Sequence, residues 1–288
     1  MNLQVTSHNG AVGATVSDID LSQSLDAETV AELHQAWLNH IVLVFPDQQL
    51  SDPALMAFAK HFGDLEFPPS KLLNYTKGSG QKDDIPAEIN VISNVIEDGK
   101  PIGQLGYGEA LWHTDSAFVE RPPSASILHA LELPPRGGNT SFMNMYAVLE
   151  ALPTHITSRL EGRRCKHDAS HTSDGALRHD FAETADASLT PGPSHPMIRT
   201  HPETGRKALY LGRRLNAYIE GMSLEESEEL LDEIWQIVEA TDGVYEHVWS
   251  LGDVVMWDNR CAMHRRAEFN ANERRIMHRS QVQGSVPV

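Results

Sequence analysis

Apolar residues recur at helical spacing near the start of the chain and again around residue 230; elsewhere they fall in short runs separated by turn residues. Val30, Leu33, Trp37 and Leu38 share one helical face, with Ser24 as the expected N-cap. The β-branched run Ile41-Val42-Leu43-Val44-Phe45 follows and Pro46 stops it, which predicts a buried strand. Ser51 and Pro53 open a second helix through Leu55, Phe58, Ala59 and Phe62, and Gly63 supplies its stop. From Ile89 onward the runs 89–95, 126–133, 140–145, 207–211, 244–249, 254–257 and 275–282 alternate with turn signals such as Glu97-Asp98-Gly99 and Pro134-Pro135-Arg136-Gly137-Gly138. Many short strands predict a sandwich or barrel. One long helix interrupts them: Ser223-Leu224-Glu225-Glu226 has capping-box spacing, and Leu224, Leu231, Ile234 and Val238 form its stripe. Residues 172–195, rich in Ser, Thr, Gly and Pro, are expected to form a long mobile loop able to serve as a lid. With no repeat, low-complexity tract or linker, residues 1–288 read as a single domain carrying that insertion.

A chain of 288 residues buries a sizeable core without staples. Forty acidic against 23 basic side chains leave a net charge of −17, a surface that repels phosphate backbones and argues against nucleic acid as a partner. No apolar run is long enough to span a bilayer, and the first residues carry neither a basic nor an apolar export region. Two cysteines, Cys165 and Cys261, are too few for a disulfide framework, so a cytoplasmic setting is expected.

Fifteen histidines direct attention to metal chemistry. The spacing His-x-Asp/Glu occurs at His113-Thr114-Asp115 and His201-Pro202-Glu203, and chance alone supplies about two such pairs in this composition. Context separates them. Leu111 to Phe118 reads as extended chain, where positions i and i+2 share a face, so His113 and Asp115 converge. His201-Pro202-Glu203-Thr204-Gly205 reads as a hairpin loop. A third ligand must come from another strand, and His264 follows the strand-like 253–257 stretch. Two imidazoles and one carboxylate without a thiolate form the facial set of non-haem Fe(II) oxygenases. Zinc hydrolysis is the rival, but no His-Glu-x-x-His occurs; His167-Asp168-Ala169-Ser170-His171 lacks the glutamate and reads as a satisfied surface pair.

Between residues 260 and 279 the acidic bias inverts: Arg260, Arg265, Arg266, Arg274, Arg275 and Arg279 stand against two glutamates. In an extended chain Arg275 and Arg279 look the same way, and two planar guanidinium forks beside a metal imply two anions. Arg265, Arg266 and Arg274 read as neutralising surface acid.

Trp112-His113-Thr114-Asp115, Gly137-Gly138-Asn139-Thr140 and Trp257-Asp258-Asn259-Arg260 leading to His264, Arg275 and Arg279 together resemble the taurine dioxygenase and chlorophenoxyacetate dioxygenase family, over nearly the whole chain. The resemblance implies a mainly β double-stranded β-helix with flanking helices, the jelly roll of clavaminate synthase type. It implies Fe(II), 2-oxoglutarate and O2 as cofactor and cosubstrates, with His113, Asp115 and His264 on the iron, Thr140 and Arg275 on the distal carboxylate of 2-oxoglutarate, and Arg279 on the anionic group of the prime substrate. The expected reaction is hydroxylation of a small anionic organic substrate, an aryloxyalkanoate, sulfonate or other carboxylate, with release of succinate and CO2. It also implies a homo-oligomer, dimer or tetramer. Asp115 disfavours halogenation, because related halogenases replace that carboxylate with a small residue.

Leu105-Gly106-Tyr107-Gly108-Glu109-Ala110 offers no clear equivalent of the polar residues that hold taurine, so taurine itself is not the expected substrate. Glu109 offers a place for a cationic group, Tyr107 a face for a ring, and Asn94 or Lys71 a lining for the entrance; solvation or packing is the plainer reading of each. Two alternatives stand beside the leading one: a biosynthetic tailoring hydroxylase of an amino acid or larger scaffold, and a non-catalytic metal-bound barrel that binds an anion.

Overall fold

Strands that bury both faces need two interleaved apolar sets, and the central strands of this protein have them. The computed structural model describes all residues except 1, 2, 9, 11, 69–84, 104–109, 173, 174, 179, 180, 213 and 214. Seven strands form the larger sheet, in the order Gln4–Ser7, Ala14–Ser17, Val42–Phe45, Val254–Asp258, Ala125–Glu132, Ile276–Val282 and Asn90–Ser93. Neighbours are antiparallel except Ala14–Ser17 with Val42–Phe45. Four strands form the smaller sheet, in the order Tyr245–His247, Thr140–Asn144, Ala262–Arg266 and Ala110–His113.

Val42, Val44, Leu128, Ala130, Val255, Trp257 and Met277 point into one core with Phe142, Met143, Ala262 and Met263 of the smaller sheet. The alternate residues Leu43, Phe45, Ile127, Val254 and Met256 join a second core with Leu33, Trp37, Leu55 and Phe58 of the first two helices. Each large apolar side chain so buried contributes about 1.5–3 kcal/mol. Two β-sheets filled between and covered by helices outside make the jelly roll that the sequence led us to expect.

The helices that cover the larger sheet are set by local chemistry. Helix Ala27–His40 is capped by Asp26, whose side chain accepts from the Thr29 amide; the expected cap at Ser24 lies too early. Ile41 then takes φ of 68°, and its fully buried side chain turns the chain straight into the strand Val42–Phe45. Ser51 caps helix Asp52–Lys60 as expected. The long helix Leu224–Ala240 carries the capping box between Ser223 and Glu226. Its buried face is Leu230, Leu231, Ile234, Trp235 and Val238, whereas Leu224, expected in the stripe, sits in the first turn and is 42% exposed. Among the described residues no helix is long and apolar enough to cross a membrane.

Residues 164–219 form a lobe beside the sandwich. Arg164–Lys166 pairs antiparallel with Ser194–Pro196 and Tyr218–Ile219, so the last two residues of the 172–195 segment belong to a strand, not to a loop. His201-Pro202-Glu203-Thr204-Gly205 closes the hairpin between Ile198–Thr200 and Lys207–Leu209, as its turn residues predict. His167, Asp168 and His171 are buried, which corrects their reading as a surface pair: Asp168 accepts from Ser170 and contacts His171 Nδ1 at 2.7 Å.

The end of strand Val254–Asp258 is locked by an ion pair inside the protein. Both Asp258 oxygens take the Arg260 fork, at 2.8 and 2.7 Å, and Oδ2 also meets His201 Nε2 at 3.0 Å. Burial pushes the Asp258 carboxyl up, but Arg260 and His201 together hold it well below the usual carboxylate range. Its stabilisation is therefore complete above the ordinary aspartate range and is lost as the pH falls below it. Cys261 lies in the same buried cluster, yet with the carboxylate oxygens occupied the group serves as a structural lock.

Two stability measurements follow. Ser223→Ala should lower the unfolding free energy by about 1 kcal/mol, read as a lower urea midpoint with an unchanged slope. Asp258→Asn leaves Arg260 with only the half-exposed Glu203 as a carboxylate partner and should cost about 3 kcal/mol, with the difference from wild type shrinking as the pH is lowered toward 3.

Candidate metal centre

His113 closes strand Ala110–His113 and His264 lies in the middle of Ala262–Arg266, directly opposite it in an antiparallel ladder. Cross-strand partners share a face, so the two rings come within 4.3 Å, centroid to centroid. The ladder shifts register between His264 and Arg266, an irregularity of the kind that re-aims side chains beside active sites. Asp115 is not on the strand, contrary to the extended reading of 111–118. The chain turns at Thr114, whose hydroxyl donates to the Ala262 carbonyl at 3.1 Å, and Ser116 takes φ of 48°. That turn brings Asp115 Oδ1 to 4.0 Å from His113 Nε2 and 3.9 Å from His264 Nε2.

The protonation states suit a cation at the centre. His113 Nδ1–H donates to the Leu111 carbonyl at 2.6 Å, which leaves the Nε2 lone pair facing inward. Burial lowers the pKa of His264, against the pull of Asp115, and so favours the neutral imidazole that ligates metals. Its ring lies against Trp257, at 4.8 Å, and Phe142, at 6.1 Å. Burial pushes the Asp115 carboxyl up, but Arg279, then His264 and His113, hold it well below the usual range, so it is a carboxylate. Three donor atoms from these residues lie within 4.8 Å of one another, and two imidazoles with one carboxylate fit a first-row divalent ion with open positions.

A polar network behind the site fixes Asp115. Ser126 Oγ donates to Oδ2 at 2.6 Å, and Gln281 Nε2 reaches the same oxygen at 3.4 Å. Ser126 Oγ in turn accepts from Gln281 at 2.8 Å and from Asn259 at 2.9 Å, while Trp257 Nε1 donates to Asn259 at 2.9 Å. With Oδ2 held from behind, Oδ1 faces the imidazoles. The sequence reading did not single out Ser126 or Gln281, although alternation from Arg279 places Gln281 on the same face.

Arg279 joins the same carboxylate, and Arg275 is buried four residues before it. Arg279 Nη1 donates to Asp115 Oδ1 at 2.7 Å, and its buried Nε has no partner among the described residues. Arg275 is 1% exposed, and among the described residues its Nε has no hydrogen bond and no carboxylate pairs with it. Burial, then the charge of Arg266, pulls its pKa down to about 9, so it remains a cation at neutral pH. Gly138, at φ of 70°, makes its place: a Cβ there would stand 3.3 Å from Arg275 Nε. Thr140 is buried nearby, and its hydroxyl oxygen accepts from Trp249 Nε1 at 3.0 Å, which leaves the hydroxyl proton free to donate elsewhere.

The remaining arginines divide. Arg274 pairs with Glu132 and Glu97 at the surface as expected, and Arg265 is exposed over the Trp112 ring. Arg266, read as a surface residue, is 6% exposed and lies over the Phe269 ring. Asn94 is engaged with backbone: its side chain accepts from the Arg275 amide at 3.0 Å and donates to the Glu273 carbonyl at 2.8 Å. Tyr107, Glu109 and Lys71 lie outside the described residues. His195, at the end of the 172–195 segment, contacts the carbonyls of Ala117 and Val119 at 3.0 and 3.1 Å and so braces the turn that carries Asp115.

Comparison with known proteins gives this geometry a context. The family model for taurine catabolism dioxygenase TauD, TfdA family, matches residues 4–281. The chain is 36% identical over 274 residues to the alpha-ketoglutarate-dependent 2,4-dichlorophenoxyacetate dioxygenase of Cupriavidus pinatubonensis, covering 93% of each. It is 32% identical over 279 residues to the (S)-phenoxypropionate/alpha-ketoglutarate-dioxygenase of Sphingobium herbicidovorans, covering 94% of this chain and 92% of that one. Among solved structures, AAD-2 in complex with Mn(II) and N-oxalylglycine superposes with a TM-score of 0.79 at 30% identity, covering all of this chain and 99% of that one.

Removing the hydroxyl that holds Asp115 should loosen the centre without dismantling it. Ser126→Ala is expected to weaken Mn(II) or Co(II) binding on the order of tenfold by calorimetric titration and, because Gln281 and Asn259 lose their acceptor, to destabilise the metal-free protein by about 1–3 kcal/mol.

Proposed function

The chain belongs to the TauD, TfdA family of taurine catabolism dioxygenases, and from that premise we propose that it hydroxylates a small anionic organic substrate, with release of succinate and CO2. It is a 2-oxoglutarate-dependent dioxygenase, working with Fe(II), 2-oxoglutarate and O2. The observation that carries the reading is a His, Asp, His donor set whose carboxylate takes Arg279, together with a buried cation four residues earlier, Arg275, that has no carboxylate partner among the described residues.

His113, Asp115 and His264 would hold the iron. Bound there, Fe(II) supplies the redox chemistry that couples oxidative decarboxylation of 2-oxoglutarate to insertion of one oxygen atom into a substrate C–H bond. Arg275 and Thr140 bind the distal carboxylate of 2-oxoglutarate, the guanidinium by charge-assisted hydrogen bonds and the threonine through the proton left free by Trp249. A cation desolvated inside the fold gains most when an anion arrives, which makes this end of the pocket selective for a dicarboxylate. Arg279, bonded to Asp115 from the strand Ile276–Val282, receives the anionic group of the prime substrate, so that the carbon to be attacked is fixed relative to the centre. Trp257, Phe142 and the core behind them keep water from the reacting atoms.

The substrates named for the two relatives above are aryloxyalkanoic acids, and the guanidinium of Arg279 suits a carboxylate or sulfonate. We read the chain as one dioxygenase domain, with the 172–195 segment as a cover braced to the ligand turn through His195. A cytoplasmic setting fits its two buried free thiols.

Oxygen uptake and succinate formation, with Fe(II), ascorbate and 2-oxoglutarate over a panel of aryloxyalkanoates, sulfonates and other carboxylates, test the reading. At least one acid should couple to succinate, and His113→Ala should abolish turnover. Arg275→Ala should raise the KM for 2-oxoglutarate about tenfold or more and that for the prime substrate little, with the reverse pattern in Arg279→Ala. Ligand binding without succinate from any acid would instead favour a non-catalytic anion-binding barrel.

A further inference from the structure

One buried arginine is left without a role by the division of labour above. Arg266 ends strand Ala262–Arg266 two residues beyond His264 and is directly opposite Thr140 in the ladder with Thr140–Asn144. Directly opposed residues of an antiparallel pair carry their side chains on the same face, with Cβ atoms about 4.5–5.5 Å apart. Thr140 and Arg266 therefore look into the same side of the smaller sheet, and both are buried.

The backbone beyond Arg266 keeps that alignment. The Ala267 amide donates to the Asn139 carbonyl at 2.9 Å, the Gly138 amide donates to the Glu268 carbonyl at 3.1 Å, and Gly137 bridges to Phe269. The stretch 266–269 thus runs along 137–140, and the Phe269 ring supports the Arg266 guanidinium from below at 5.1 Å. Gly138 in the same stretch is the residue that makes space for Arg275. The Gly137-Gly138-Asn139-Thr140 motif consequently adjoins two arginines, Arg266 at the end of one strand and Arg275 just before another. Their proximity is felt: the charge of Arg266 is the second cause, after burial, of the lowered pKa of Arg275. Two like charges at this distance repel each other, and an anion arriving between them relieves that repulsion.

We infer that Arg266 is a second guanidinium of the cosubstrate pocket, binding the distal carboxylate of a dicarboxylic 2-oxo acid together with Arg275 and Thr140. The inference rests on the placement of 2-oxoglutarate in the proposed function and deepens it. Arg266 then sets selectivity between 2-oxo acids: an acid with a distal carboxylate meets both arginines, and one without it meets neither.

Calorimetric titration of the Mn(II)-loaded protein with 2-oxoglutarate, and with pyruvate as the probe that lacks the distal carboxylate, tests this apart from turnover. Arg266→Ala should weaken 2-oxoglutarate about tenfold or more while pyruvate changes by less than about twofold; Arg266→Lys should recover part of the loss. Arg266→Gln, which keeps the side-chain stem over Phe269, decides the matter should the alanine variant fail to fold. Unchanged 2-oxoglutarate affinity, or an equal loss for pyruvate, would overturn the role given to Arg266. Wild-type protein that takes up no 2-oxoglutarate, or an Arg275→Ala variant that binds it normally, would instead remove the pocket assignment on which that role stands.

Discussion

His113 and His264 come from opposite halves of the chain, and everything at the site depends on their meeting across one antiparallel ladder. Neither strand holds that pairing alone. Ala262–Arg266 is flanked on its other side by Thr140–Asn144, and Phe142, Met143, Ala262 and Met263 sink into the core shared with the larger sheet. The entropy of closing so long a loop grows only slowly with its length, so a well-buried ladder is enough to fix the two imidazoles. Asp115 arrives by a different route. It hangs from a turn, and a turn is mobile unless tied; Thr114, His195 and the Ser126 network tie it from three directions.

Burial cost explains why the arginines in one short stretch behave so differently. A guanidinium removed from water needs a counter-charge or several kcal/mol of compensation. Arg260 has Asp258, and the pair locks a strand end to the hairpin turn through His201. Arg279 has Asp115, which couples it to the metal centre. Arg274 stays at the surface with glutamates. Arg275 is buried with no carboxylate among the described residues, and that imbalance is the mark of a place shaped for something that comes from outside.

Much of this was legible in the sequence because the signals were local. The run at 41–45, the cap at Ser51 and the box from Ser223 to Glu226 each reflect one or two backbone rules, and the structure follows them. The jelly roll and the trio His113, Asp115 and His264 came from motif and resemblance, and the coordinates bring those three side chains together. What escaped was decided by neighbours distant in sequence. Asp26 displaces Ser24 as a cap because the helix starts where its Leu33 and Trp37 face can dock. His167, Asp168 and His171 are buried by a lobe whose strands are too short to announce themselves. Arg266 sits inside because His264 does, two positions earlier on the same strand. That alternation was visible in the text, but the arginine's usual preference for solvent outweighed it.

The doubly buried strands carry a consequence for how such a protein changes over time. Sliding Val254–Asp258 by a single residue against its neighbours would send Trp257 toward the helices and Met256 toward His264, exchanging the two cores at once. Insertions and deletions are therefore barred from the sheet interior, where iron chemistry is laid out, and find room only in the segments that join strands at the rim. New substrates can be acquired at that margin while the oxidising machinery stays frozen in place.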